Sequence, residues 1–240
     1  MARIVHVWNL GRIAYHPALQ IQKHLADSYK NAIDGSPNKC STPGDVLLLV
    51  EHDPVYTVGI RNKDYDSKEE TRLKALGAEF YKTNRGGLIT FHGPGQLVAY
   101  PIINLKNLEN PGVRCYVSAI EETIITMCKS FSIKAERSPH TGVWVSDNKI
   151  CAIGIHASRH ITSHGLALNC NTDLKWFEHI VPCGIEGKGV TSLTRELGMQ
   201  MTLHRTIPHF LRSFSTTFGC KIIPFPEERA KEILQLIRLQ

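Results

Sequence analysis

Residues 84–96 read Asn84-Arg-Gly-Gly-Leu-Ile-Thr-Phe-His-Gly-Pro-Gly-Gln96, four glycines and a proline around a short β-like Leu-Ile-Thr-Phe core. The backbone must turn tightly on both sides of that core, and glycine permits both positive φ and the close approach of a ligand. Arg85 and His92 sit at opposite ends of the element, able to face one shared space. That is the make-up of a binding loop, although two tight turns with a solvated arginine and a packed histidine would use the same residues. A phosphate-cradling P-loop is excluded, because Gly-x-x-x-x-Gly-Lys followed by Ser or Thr does not occur.

Two more positions invite chemistry. Lys149 follows a Ser-Asp-Asn turn and heads the apolar strand Lys149-Ile-Cys-Ala-Ile-Gly154. A long cation is awkward there unless it reaches a partner or snorkels off the strand's end. Cys183 stands between Pro182 and Gly184, on a turn that can expose sulfur and backbone N–H together. Cys115 and Cys128 fall instead on an amphipathic helix, and unpaired cysteines are ordinarily buried filler. His156, His160 and His164 recur every fourth residue, which on a helix would stack three imidazoles for zinc. The β-branched Ile161 and Thr162, the following Gly165 and the lack of a His-Glu-x-x-His glutamate argue for strand–loop–strand, on which the rings diverge. No metal site is expected.

The elements that must position these residues can be read from periodicity and punctuation. Strands are expected at 3–10, 45–52, 78–82, 88–91, 97–103, 132–136, 142–145, 149–155 and 165–170. Val113, Tyr116, Val117, Ile120, Ile124, Met127 and Phe131 recur at helical spacing and define the firmest helix, over 112–131. Further helices are expected at 15–32, 174–179, 202–218 and 227–239, and a short one opened by a capping box at Ser67 and stopped at Gly77. The stretch 34–44 is a loop by its Gly, Pro, Ser and Asn content. With strands clustered in the middle rather than alternating with helices, the class is α+β, and a single domain over 1–240 is expected.

Composition bounds the function. At 240 residues, 42% hydrophobic and 21% charged, the chain can support one large core without disulfides or metal. No apolar run approaches the ~20 residues that span a membrane, so no membrane partner is expected. The net charge of +6 is too small and too scattered to establish nucleic-acid binding. It is uneven, however: residues 31–80 carry six basic and nine acidic side chains, whereas 1–30, 81–120 and 201–240 each come to +3. Seven cysteines, an odd number without any Cys-x-x-Cys pair, point to a reducing compartment rather than a disulfide framework. Arg3, Arg12 and Lys23 precede the first carboxylate, Asp27, which fits a mitochondrial address or an amphipathic first element.

Taken in order, RGGLITFHGPGQ (85–96), KICAIGIH (149–156), HGLALNCNTDL (164–174) and PCGI (182–185) resemble the motifs of the lipoyl(octanoyl) transferases, the octanoyltransferases of protein lipoylation. Weaker similarity at LGRI (10–13), DPVYTVG (53–59) and LKALGAEF (73–80) extends the likeness over most of the chain, and GVWV and WFEHIVPCGI make it most similar to the animal, mitochondrial members. The resemblance implies the catalytic domain shared by biotin and lipoate protein ligases, a mixed β-sheet flanked by helices. It implies Cys183 as the acyl-accepting cysteine and Lys149 as its catalytic lysine. It also implies three substrate-binding segments: Arg85, Gly86, Gly87, Leu88, Ile89, Thr90, Phe91 and His92; Ala152, Ile153 and Gly154; and Gly165, Leu166 and Ala167.

Elementary chemistry agrees with that assignment. Moving an acyl group from a thioester to an amine is difficult in one step, because a lysine amine is protonated at neutral pH. A cysteine splits the reaction in two. Free cysteine titrates near ~8.5, so a neighbouring ammonium such as Lys149 raises the thiolate fraction. Backbone N–H groups near Cys183 or in the Arg-Gly-Gly turn are candidate oxyanion donors. The thioester is already activated, so no cofactor is expected. The resemblance implies octanoyl-acyl carrier protein as donor and a lysine of a lipoyl domain, such as the glycine-cleavage H protein, as acceptor. Both kinds of partner are usually acidic, which gives the +3 segments a use. The competing readings are an ATP-dependent lipoate or biotin ligase on the same fold, and a non-catalytic module that binds acyl carrier or lipoyl domains.

Overall fold

The strand Asp45–Glu51 (β2) shows in miniature how the fold is organised. Leu47 and Leu49 face one side of the sheet and Val46, Leu48 and Val50 the other, each essentially inaccessible to water. Such a continuous apolar run is what a strand covered on both faces requires. The computed structural model describes residues 3–34, 44–61, 65–180 and 188–238. The Pro-Cys-Gly segment with Cys183, and nearly all of the loop expected over 34–44, lie outside them.

Around β2 the described residues form a nine-stranded mixed sheet. Arg3–Arg12 (β1) runs parallel to β2 on one side and to Cys220–Pro224 (β12) on the other. Gln96–Ile102 (β6) continues the sheet antiparallel to β2, followed by Ile161–Asn169 (β10), Asn148–Ser158 (β9), Val143–Val145 (β8) and Glu136–Arg137 (β7). Gly189–Val190 (β11) pairs alongside the start of β9. Helices Val113–Ser130 (α3) and Leu203–Phe218 (α5), the latter preceded by the short helix Leu193–Leu197 (α4), cover one face, burying Tyr116, Ile120, Ile124, Phe210 and Phe214 against Leu47, Leu97 and Leu168. Helices Tyr15–Ile33 (α1) and Glu227–Arg238 (α6) cover the other, where Ile21, Leu25 and Ile233 meet Val46, Val98 and Ile102. The expected mixed sheet flanked by helices is therefore present.

A second, three-stranded sheet stands beside the first. Val55–Val58 (β3) is its centre, parallel to Glu79–Lys82 (β4) and antiparallel to Ile89–His92 (β5). Helix Ser67–Lys74 (α2) contributes Leu73 to its apolar cluster with Tyr56, Val58, Phe80 and Phe91.

Several local expectations shift. The Leu-Ile-Thr-Phe core and the strand after it, β5 and β6, belong to different sheets. The cap of α2 is Asp66, not Ser67: its carboxylate accepts from the N–H groups of Lys68 and Glu69, both at 3.0 Å. The strand expected at 132–136 shrinks to the two residues of β7, since Ser132 adopts φ 60° and the Ile133 N–H returns to the Cys128 carbonyl at 3.0 Å. The histidine segment is strand–turn–strand, with Arg159 and His160 at positive φ in the turn. Among the described residues no group of His, Cys, Asp or Glu is placed to hold a metal, and no helix is long and apolar enough to cross a membrane.

Candidate active site

Gly154 and Gly165 lie opposite each other on the β9–β10 ladder. A Cβ on Gly154 would come within 2.8 Å of the Gly86 carbonyl oxygen and 3.1 Å of Arg85 Cδ, so the missing side chain is what lets the Arg-Gly-Gly loop rest on the sheet. The Gly86 N–H donates to the Ile155 carbonyl at 2.9 Å, and the Ile60 N–H to the Arg85 carbonyl at 2.9 Å. Gly87 then turns the chain at φ 97°. The result is a roof over a pocket whose floor is β9 and β10.

The three segments singled out in the sequence converge here. Arg85, Gly87, Leu88, Ile89, Thr90 and His92 border the cavity from the loop and β5. Ala152, Ile153 and Gly154 border it from β9, and Gly165, Leu166 and Ala167 from β10. Gly86 faces the adjoining space instead. Phe91 points the other way: it is fully buried in the small sheet and stacked on Trp176 with ring centroids 5.0 Å apart. Strand alternation accounts for this, since Thr90 and His92 share one face of β5 and Phe91 takes the opposite one.

Arg85 and His92 do face a shared space, and one hydroxyl joins them. Arg85 Nη2 donates to the Thr57 carbonyl at 2.5 Å and to Thr57 Oγ1 at 2.9 Å; that hydroxyl lies 3.2 Å from His92 Nε2. His92 Nδ1 is 2.8 Å from Gln96 Oε1, while Gln96 Nε2 donates to the Phe91 carbonyl and to Asn169 Oδ1. The Gln96 oxygen must then accept, which fixes the His92 proton on Nδ1 and leaves Nε2 to accept from Thr57. Asn169 Nδ2 passes the chain on to the Thr191 carbonyl, and the Thr191 N–H donates to the Lys149 carbonyl at 3.0 Å. Arg85 and Lys149 are thus positioned through one continuous set of hydrogen bonds.

Burial keeps the histidines of this region neutral. Desolvation pushes His92 down to about 3, with neighbouring His52 adding to the effect; it takes His164 to about 3 and His52 to about 4. His52 donates from Nδ1 to the Ile13 carbonyl and accepts from the Tyr100 hydroxyl at 2.8 Å, and His164 Nε2 pairs with Asn84 Oδ1 at 2.8 Å. Unfolding returns each imidazole to its ordinary range near ~6.5, so below that pH the unfolded chain takes up protons that the folded chain refuses. Stability is therefore fully present above ~6.5 and is lost as pH falls toward 4, with a limiting slope of about 4 kcal/mol per pH unit for three such groups. Urea unfolding measured from pH 7.5 to 4.5 checks this, and a flat profile would contradict the burial of neutral histidines.

Lys149 does not snorkel into solvent. Its side chain is 5% exposed, Nζ donates to the Thr141 carbonyl at 3.2 Å, and Nζ lies 4.7 Å from the centroid of the Trp144 ring. Gly142, at φ 126°, makes room for the stem: a Cβ there would sit 3.3 Å from Lys149 Cε. Lys149 borders two spaces that adjoin the first cavity. One, small, shares Thr90, Ala152 and Ala167 with it; the other, wider, shares Gly87, Leu88, Ile153 and Gly154. Cys183 lies outside the described residues. The first described residue after that segment, Lys188, also stands over the Trp144 ring, at 5.2 Å, and Val190 pairs with Lys149.

Tyr15, Val98, Tyr100 and His164 also border the cavity, and none was singled out as a binding residue. His164 lies inside a quoted motif, so the signal was present. Tyr15 and Tyr100 come from α1 and β6 and carry no local mark.

The model of the lipoyl protein ligase A/B catalytic domain matches residues 14–215. The mitochondrial octanoyl-[acyl-carrier-protein]:protein N-octanoyltransferase of Danio rerio is 57% identical over 89% of this chain and 92% of its own length. The Homo sapiens protein of the same name is 44% identical over 91% and 95%. Among solved structures, the bipartite lipoate protein ligase of Thermoplasma acidophilum superimposes with a TM-score of 0.67 over 99% of this chain and 92% of that one, at 15% identity, and so shares the fold. The chain belongs to the lipoyl protein ligase A/B catalytic-domain family. Within that family it is an octanoyltransferase of protein lipoylation, and like its animal relatives it is mitochondrial.

Proposed function

We propose that one catalytic domain spanning the chain moves an octanoyl group from an acyl carrier protein to a lysine of a lipoyl domain, such as that of the glycine-cleavage H protein, through a thioester on Cys183. In the first step the Cys183 thiolate attacks the donor's thioester carbonyl, the C–S bond to the carrier breaks, and the carrier leaves as its thiolate, which takes up the proton Cys183 had released. In the second, the neutral acceptor amine attacks the new thioester, the C–S bond breaks as the amide C–N bond forms, and the amine's proton ends on the expelled Cys183 sulfur. Lys149 supplies the positive charge that favours the thiolate in both steps. The observation that carries this reading is the burial of Lys149 at the junction between the roofed cavity and the larger open space. Because the Gly86 N–H is already engaged by the Ile155 carbonyl, oxyanion stabilisation falls to other backbone donors.

In this reading the acyl tail lies in the roofed pocket against Leu88, Ile89, Ile153, Leu166 and Ala167, all of which border it. Each buried methylene is worth ~0.8 kcal/mol, so removing two carbons should weaken donor use about tenfold. Chains much longer than octanoyl should be penalised by overpacking. Competition among hexanoyl, octanoyl, decanoyl and palmitoyl carriers, run without ATP, tests both points; a flat preference would place the tail in solvent. Transfer from free octanoate that requires ATP would favour the ligase reading.

A further inference from the structure

The wider space beside the acyl pocket is a groove with two distinguishable ends. At one end Lys149 Nζ donates to the Thr141 carbonyl at 3.2 Å, and the neighbouring His140 carbonyl accepts from Trp144 Nε1 at 3.0 Å. At the other, the Gly86 N–H donates to the Ile155 carbonyl at 2.9 Å and the Arg61 N–H to the Gly87 carbonyl at 3.4 Å, so the Arg-Gly-Gly loop holds the Arg61 backbone in place. Between the two ends Ile153 and Gly154 of β9 and Val113 and Val117 of α3 border the groove. Lys149 and Ile155 both lie on β9, and at the rise of a strand they stand about 20 Å apart.

An octanoyl tail in the roofed pocket accounts for only part of the donor. Beyond its sulfur, an acyl-carrier thioester continues through two amides and a pair of methyl groups to a phosphodiester, and the extended arm has about the reach of the span from Lys149 to Ile155. The groove's lining suits that chemistry. Leu88, Val113 and Val117 offer apolar contact for the methylenes and methyls. Arg61, His140 and Lys149 border the groove, and among the described residues no Asp or Glu does, so its charge complements a phosphate. Arg61 is exposed, and a guanidinium matches phosphate oxygens two at a time. We infer that this groove is the site of the donor's phosphopantetheine arm, its thioester toward Lys149 and its phosphodiester held by Arg61. The carrier protein then sits over the Arg61 end, and the acyl chain turns from the groove into the pocket where the two share Gly87, Leu88, Ile153 and Gly154.

This rests on the proposed transfer from an acyl carrier through Cys183. The test compares S-octanoyl-4′-phosphopantetheine with S-octanoylpantetheine, which differ only in the phosphate, as subsaturating donors to the full chain and to its Arg61→Gln and His140→Gln variants. Acylation of Cys183 is followed by intact mass and peptide mapping. The wild type should be acylated roughly tenfold faster by the phosphorylated donor, and this preference should fall close to one in Arg61→Gln and persist in His140→Gln. Arg61 is exposed, so its replacement leaves the core intact. Equal use of the two donors by the wild type, a preference that survives Arg61→Gln, or one lost in His140→Gln overturns the inference. Octanoyl-acyl carrier protein in the same assay separates the two failures. If it alone acylates Cys183, Arg61→Gln must raise its KM about tenfold and His140→Gln must not; an unchanged KM in Arg61→Gln sinks this inference only. If no donor acylates Cys183, the reading on which it rests falls as well.

Discussion

Replacing Cys183 with alanine is expected to abolish both the covalent acyl adduct and net octanoyl transfer, while the other cysteines can be replaced singly without losing the adduct. The described cysteines argue for this by their surroundings. Burial pushes the thiols of Cys128 and Cys170 up to about 12, raises Cys151 well above the ordinary thiol range, and raises Cys220 as well. At about 12, only about one thiol in 10⁵ is ionised at neutral pH, and an un-ionised thiol is a poor nucleophile. Cys115 is exposed, but it sits on α3 and does not border the acyl cavity. Only Cys183 combines a Pro-Cys-Gly sequence with following residues, Lys188 and Val190, that return to the side of Lys149. Replacing a buried cysteine costs core packing, so the adduct per folded molecule, rather than the yield, is the quantity to compare.

Lys149→Met should lower kcat/KM by roughly 10²–10⁴, the range over which a positioned proton-transfer or charge-stabilising group contributes. Methionine keeps much of the stem's volume against Gly142 and the Trp144 ring, so the fold should survive. What disappears is the ammonium. The pH at which Cys183 reacts half-maximally with iodoacetamide should move upward in the variant, because the thiolate loses the cation proposed to stabilise it. Reduced transfer with an unchanged alkylation profile would mean that Lys149 positions the substrate and does not activate the thiol.

The parts of this site that were legible in the sequence are those whose chemistry is local. The glycines of 85–96 announce a loop that must approach another backbone, and Gly154 shows where it does so. The apolar spacing over 112–131 announces α3, observed at Val113–Ser130. What stayed hidden depends on distant partners. β3 is four residues long and gains its meaning from β4 and β5, which follow it at a distance in the chain. β12 is a strand because it pairs in parallel with β1, Arg3 with Cys220, from opposite ends of the molecule. Thr57, which joins Arg85 to His92, and Tyr15, which closes one side of the cavity, reach the site only through the docking of one sheet and one helix on another.

The central claim, an acyl-cysteine intermediate, is tested most directly by intact-mass analysis of the full chain incubated with octanoyl-acyl carrier protein alone, followed by peptide mapping and then addition of a lipoyl domain. A single octanoyl group on Cys183 that disappears as the lipoyl domain gains it is the predicted result. Octanoyl on Cys151 or Cys170, or transfer to the lipoyl domain from a Cys183→Ala variant, would contradict the account.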